Sequence, residues 1–100
     1  MAKIGLLLAR DGMRNGESLV SSEWLAEATT PHTEWGDYGY YFWLFPDGTF
    51  RAEGHGGQII HVARSLDLVI VMTADPYSAS AVLSPGLYGL IDRIVAAVVE

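Results

Sequence analysis

No cysteine occurs among the 100 residues, which removes disulfides, thiolate nucleophiles and cysteine-based zinc sites and leaves the redox compartment undefined. Positive charge is also scarce. Six Lys and Arg stand against twelve Asp and Glu, a net charge of −6 with the acids spread along the chain, so no basic patch exists to neutralise phosphate and nucleic acid is not an expected partner. Long hydrophobic runs are missing too. The stretch from Leu66 to Ala74 is interrupted by Asp67 and is too short to span a bilayer, so no membrane partner is expected. The segment Ile4 to Ala9 is short and lacks a small-residue cleavage site, which does not fit a signal peptide and leaves localisation undefined. With no internal repeat and no low-complexity linker, residues 1–100 are expected to form a single domain.

What is present is apolar and aromatic. Half the residues are hydrophobic and only 18% are charged, against about one quarter in an average protein, which excludes a disordered chain and is rich for a solitary domain of this size. Met1, Ile4, Leu7 and Leu8 recur at helical spacing, and Asp11-Gly12 supplies a left-handed stop. Because Met1 lies inside that apolar pattern with no capping residue before it, the chain start is expected not to be a natural domain edge. Ser21 is a candidate N-cap for a short helix over Ser22–Thr29, and Pro31 stops it. Tyr38–Phe45 is aromatic on both faces and reads as a strand covered on both sides. Pro46-Asp47-Gly48 is a turn that folds Thr49–Glu53 back beside it. Gln58–Ala63 and Leu68–Thr73 read as two more strands across the polar turn Arg64 to Asp67. Ser84-Pro85 is expected to open a closing helix, Pro85–Val99, with Leu87, Ile91, Ile94 and Val98 on one face. The tight connections require antiparallel pairing. The fold class is therefore α+β, an antiparallel sheet of about four strands with two N-terminal helices and a C-terminal helix packed on it.

Between the second and third strands lies Glu53-Gly54-His55-Gly56-Gly57-Gln58. Glycine in a strand weakens it, so three glycines around one histidine mark a bulge or a place where another backbone or a ligand comes close. No metal site is expected. On one regular strand His55 and His61 would be roughly 20 Å apart, and the zinc spacings are absent. A self-contained serine nucleophile is also missing: Lys3 is the only lysine, so no Ser-x-x-Lys exists, Asn15 is the only asparagine and forms no Tyr-x-Asn, and no G-x-S-x-G elbow occurs.

The succession "MAKIGLLLARDG", "ESLVSSEWLAEATTPHT", "YGYYFWLFPDGTF" and "GHGGQIIHVARSLDLVIVMT" followed by an amphipathic helix resembles the carboxy-terminal part of the serine β-lactamase and penicillin-binding-protein-like hydrolases. The likeness points toward class C β-lactamase-related esterases and 6-aminohexanoate-dimer hydrolases. It implies a partial β-lactamase/transpeptidase-like fold whose parent cleaves a small-molecule ester, amide or β-lactam through an acyl-enzyme, without a cofactor. In that family a third motif, Lys-Thr-Gly or His-x-Gly or Trp-x-Gly, lies on a sheet strand walling the site, and His55-Gly56-Gly57 matches it. The resemblance makes His55 and Gly57 assisting catalytic residues and Gly56 and Gln58 substrate-binding ones, with a backbone N–H near Gln58 completing an oxyanion hole. The plain alternative is a bulge over Gly54–Gly57 with a half-exposed His55. Without Ser-x-x-Lys and Tyr-x-Asn the chain alone is expected to be inactive. A non-catalytic α+β binding or oligomerisation module stands as the other function. The resembled fold extends the sheet and covers its second face with parts that precede these residues, so an open edge and a bare face are expected to drive a homodimer or higher oligomer.

Overall fold

The computed structural model describes residues 1–75 and 84–99. Helix α1 spans Ala2–Ala9 and stops where the Gly12 N–H donates to the Leu7 carbonyl, with Asp11 and Gly12 at φ 54° and 80°. A side chain at Gly12 would collide with the Val20 carbonyl, so only glycine fits there. The expected stripe is rotated. Gly5 and Leu8 are buried while Ile4 is 57% exposed, because the bare Gly5 lets the helix backbone settle onto Val69 and Ile60. A small hairpin, β1 (Met13–Arg14) and β2 (Glu17–Ser18), turns at Asn15-Gly16 with φ 51° and 79°, the Asn-Gly signature of a tight hairpin.

Helix α2 spans Ser22–Ala28, and the Ser21 hydroxyl accepts the Trp24 N–H at 3.1 Å as its cap. At its other end the Thr29 and Thr30 hydroxyls donate to the Leu25 and Ala26 carbonyls. The long aromatic strand expected over Tyr38–Phe45 shrinks to β3, Trp43–Leu44, with one bridge from Tyr38 to Trp43. The cause is local. Tyr41 takes φ 66°, Gly39 donates to the Phe42 carbonyl, and the Tyr40 N–H is taken by Ala28 of α2, which folds residues 38–42 into a loop.

Strands β4 (Phe50–Gly54), β5 (Gln58–Ala63) and β6 (Leu68–Met72) complete an antiparallel sheet in the order β3-β4-β5-β6. A 3-10 turn at Arg64–Leu66 with left-handed Asp67 joins the last two. Alternation sorts the side chains between the sheet faces. On one face Leu8, Leu25, Phe50 and Val62 form a buried cluster beneath α1 and α2. On the other, Ile59, Ile70 and Ile91 form a second cluster beneath α3, Ser84–Val99. Burial of each large apolar side chain stabilises by about 1.5–3 kcal/mol. The bare second face expected from the sequence is therefore corrected: α1 and α2 cover one face and α3 the other. Ser84 is the first residue of α3 and not the one before it, and the preceding position lies outside the described residues.

Candidate functional site

His55-Gly56-Gly57 is the three-residue turn between β4 and β5, closed by the facing pair Gly54 and Gln58. The tripeptide sits where the chain reverses and not along a strand, so His55 and His61 do not share one continuous strand as the spacing suggested. Gly56 and Gly57 have φ 79° and 95°, a region that side chains disfavour. Gly57 is required for a second reason. A Cβ there would lie 2.9 Å from Leu87 Cδ1 and 3.1 Å from Ala74 Cβ, so α3 and the exit from β6 press directly on the turn.

His55 is exposed, Gly56 is half-buried, and the half-buried Gln58 donates its side-chain amide to the Ala74 carbonyl. That bond ties the base of the turn to the chain leaving β6 and commits the Gln58 side chain within the fold. A niche of about 60 Å³ opens beside the turn against Glu53 and Tyr88, room for about two waters at about 30 Å³ each. An open imidazole beside two bare glycines presents backbone that an incoming group can approach closely. Among the described residues no nucleophile stands with it. Ser18 Oγ donates to the Val20 carbonyl and Ser21 Oγ caps α2; among the described residues no serine hydroxyl is hydrogen-bonded to a histidine or lysine. No described group of three or more His, Cys, Asp or Glu is placed to hold a metal, and His32 is instead stacked on Tyr40 at 4.1 Å.

Next to the turn lies a polar cluster that the motifs of the sequence do not announce. Arg51 on β4 and His61 on β5 are facing partners, 7% and 3% exposed, on the α3 side of the sheet. The Arg51 guanidinium lies over the Phe45 ring at 4.3 Å and the Tyr88 ring at 5.1 Å, and meets Glu53 at 3.4 Å. Glu53 in turn accepts the Tyr88 hydroxyl at 3.1 Å. Cation–π contacts in partly desolvated settings are worth about 1–2 kcal/mol each, so this clamp fixes α3 on β4 and thereby holds Leu87 against Gly57. Burial is the main force that raises the Tyr88 phenol, aided by its bond to Glu53. Burial also lowers the His61 pKa; the Arg51 charge adds to this while Asp47 and Asp92 oppose it. Asp47 is lowered, chiefly by the Thr49 hydroxyl and then by the Thr49 N–H, at 2.7 and 2.9 Å. A groove of about 580 Å³ runs past the clamp between Trp43, Asp37 and Asp92. The clue in the sequence was the alternation Phe50-Arg51-Ala52-Glu53, which puts both charges on the face opposite Phe50.

The class this architecture defines is α+β: three helices on an antiparallel sheet of four strands, consistent with a partial β-lactamase-like fold. Among solved structures the chain is similar to one described as "Putative 6-aminohexanoate-dimer hydrolase from Bacillus anthracis", with a TM-score of 0.67 and 20% sequence identity over 96% of this chain and 28% of that one. The chain thus spans little more than a quarter of that protein, and the likeness is one of fold. No protein-family model matches the chain, and neither does any curated protein.

Proposed function

We propose that the chain is a segment of a β-lactamase-like serine hydrolase and contributes the third wall of an acyl-transfer site through His55-Gly56-Gly57, without hydrolysing substrate alone. The observation that carries the reading is the β4–β5 turn: an exposed histidine on two left-handed glycines, in a chain whose fold aligns over nearly its full length with part of the hydrolase-named structure. His55 would direct an N–H at a substrate carboxylate or amide, and the bare glycine backbone would let the acyl group lie against the turn. Nucleophile and base would come from outside these 100 residues, since neither Ser-x-x-Lys nor Tyr-x-Asn occurs in them.

The purified chain is expected to give no turnover of a chromogenic β-lactam or a short-chain nitrophenyl ester above buffer, and Ala at Ser18, Ser21, Ser22 or Ser65 leaves that turnover reading unchanged. In a polypeptide carrying Ser-x-x-Lys and Tyr-x-Asn ahead of these residues, His55→Ala is expected to lower turnover by roughly 10²-fold, the scale of one lost transition-state donor. Activity of the chain alone that one serine substitution abolishes, or a His55→Ala variant of the longer polypeptide with unchanged rate, sinks the proposal. The second reading, a non-catalytic α+β module, is favoured by one feature: both sheet faces are covered by this chain's own helices, as an independently folding unit requires.

A further inference from the structure

A turn that carries two glycines does not hold itself. Gly56 and Gly57 have no side chains to pack, and glycine reaches many conformations besides the left-handed φ of 79° and 95° found here, so the local sequence leaves the position of His55 open. Contacts from elsewhere in the chain fix both ends. Gln58 donates its side-chain amide to the Ala74 carbonyl, Leu87 Cδ1 stands 2.9 Å from where a Gly57 Cβ would lie, and the Tyr88 hydroxyl donates to the Glu53 carboxylate at 3.1 Å. The last two come from adjacent residues of α3. Leu87 bears on the end of the turn that enters β5, and Tyr88 bears on Glu53, the last residue but one of β4 and two before His55. The other oxygen of Glu53 meets Arg51 at 3.4 Å, and Arg51 is itself set against the Phe45 and Tyr88 rings, so the acceptor is held in place. Glu53, Leu87 and Tyr88 also wall the niche beside the turn, together with Gly54, Gly56 and Gly57. A space of that size admits water and no side chain, so water alone can replace a lost tether there.

We propose that Tyr88 is a positioning residue for the third wall: its hydroxyl holds the end of β4 through Glu53 and, with Leu87 on Gly57, confines the turn to the one conformation from which His55 reaches substrate. What the turn does in acyl transfer rests on the hydrolase reading, whereas the tether rests only on contacts among these residues. Tyr88 touches no substrate in this arrangement and acts through the turn. An imidazole pivoting on a loose turn loses alignment, and a misplacement of about 1 Å at a reacting centre costs up to about 10²-fold in rate. The loss falls on kcat and leaves KM nearly unchanged, because alignment is demanded in the transition state and not in the bound ground state.

Tyr88→Phe removes the hydroxyl alone and keeps a ring against Arg51, so the fold is retained. Nitrogen relaxation dispersion on the 100-residue chain reads the turn directly. The unsubstituted chain is expected to show no exchange broadening at the His55, Gly56 and Gly57 amides. Tyr88→Phe and Glu53→Ala are each expected to broaden those three while Ile60 to Val62 of β5 stay sharp. Glu53→Gln keeps an oxygen acceptor for the phenol and restores the sharp turn, and adding Tyr88→Phe to Glu53→Ala changes nothing further. In a longer polypeptide carrying Ser-x-x-Lys and Tyr-x-Asn, Tyr88→Phe is expected to lower kcat about five- to tenfold with KM moved less than about twofold, and to have no effect on top of His55→Ala. A turn that stays sharp in Tyr88→Phe, or broadening that spreads through the sheet, overturns the proposal. So does a full kcat in Tyr88→Phe where His55→Ala is slow, which leaves the hydrolase reading standing. An unchanged rate in His55→Ala sinks that reading instead, and the turn amides then decide the tether alone: broadened in Tyr88→Phe for it, sharp against it.

Discussion

Placing an arginine and a histidine opposite each other under a helix sets a direction for the stability of the whole protein. His61 is 3% exposed, and burial first, then the Arg51 charge, lowers its pKa below the ordinary 6.5. Protonating it inside the fold therefore costs more than protonating it in the unfolded chain. For a ring with a depressed folded pKa, stability is fully present above the unfolded value and is lost as pH falls below it, because the unfolded state binds the proton first. The melting temperature is expected to fall between pH 7.5 and pH 5, with a slope of at most about 1.4 kcal/mol per pH unit from one group. Asp47, also depressed, acts only near and below the ordinary carboxyl value of 3.8 and leaves that window clear. Thermal melts read by circular dichroism check this: His61→Leu should flatten the slope, and a parent protein whose stability is flat from pH 7.5 to 5 would refute it.

At the scale of elements, what was legible and what was not divide along physical lines. Gln58–Ala63 and Leu68–Met72 were readable because β-branched runs between polar turns have few alternatives. Ser21 was readable as a cap because a hydroxyl ahead of Ser22-Glu23 solves a local problem, an orphan N–H, with a local group. Ser21→Ala is accordingly expected to destabilise by about 1 kcal/mol, the usual worth of such a cap, measured by urea unfolding; a change below about 0.3 kcal/mol would mean that α2 is held by Leu25 and Ala28 alone. Tyr38–Phe45 misled because its aromatic content suits a strand, while the Tyr40 N–H is captured by Ala28, 12 positions earlier in the chain. The stripe on α1 misled because apolar spacing does not weigh Gly5, whose missing side chain decides which face meets the sheet. Of the site, the glycine cluster was visible as a place of close approach; at Gly57 the near neighbours within the chain are Leu87 and Ala74, and no local pattern announces a neighbour 30 positions away. Arg51 and His61 were hidden for the same reason: their burial depends on α3.

For the molecule as a whole, the sheet is a shared wall. Val62 of β5 lies in the cluster beneath α1 and α2, and its neighbours Ile59 and His61 face α3. Removing either helical layer would strip one side of the same strand, so the two clusters are expected to fail together and not as separate units. The chain carries reporters that can tell the difference. Its three tryptophans, Trp24, Trp35 and Trp43, all precede β4, whereas α3 is the longest helix described, 16 residues against 8 and 7, and dominates the far-UV signal. Tryptophan fluorescence and ellipticity at 222 nm are expected to give coincident urea transitions. Ile91→Ala, at 1% exposure, leaves a cavity costing about 2–5 kcal/mol, and it should move both transitions by the same amount although the substituted residue is on α3. If the helical signal melts first and fluorescence keeps its original midpoint, α3 is a detachable cover and the 100 residues do not fold as one unit. The clamp of Arg51 between Phe45 and Tyr88 argues for coincidence, since it binds α3 to the strand that carries Phe50 into the opposite cluster.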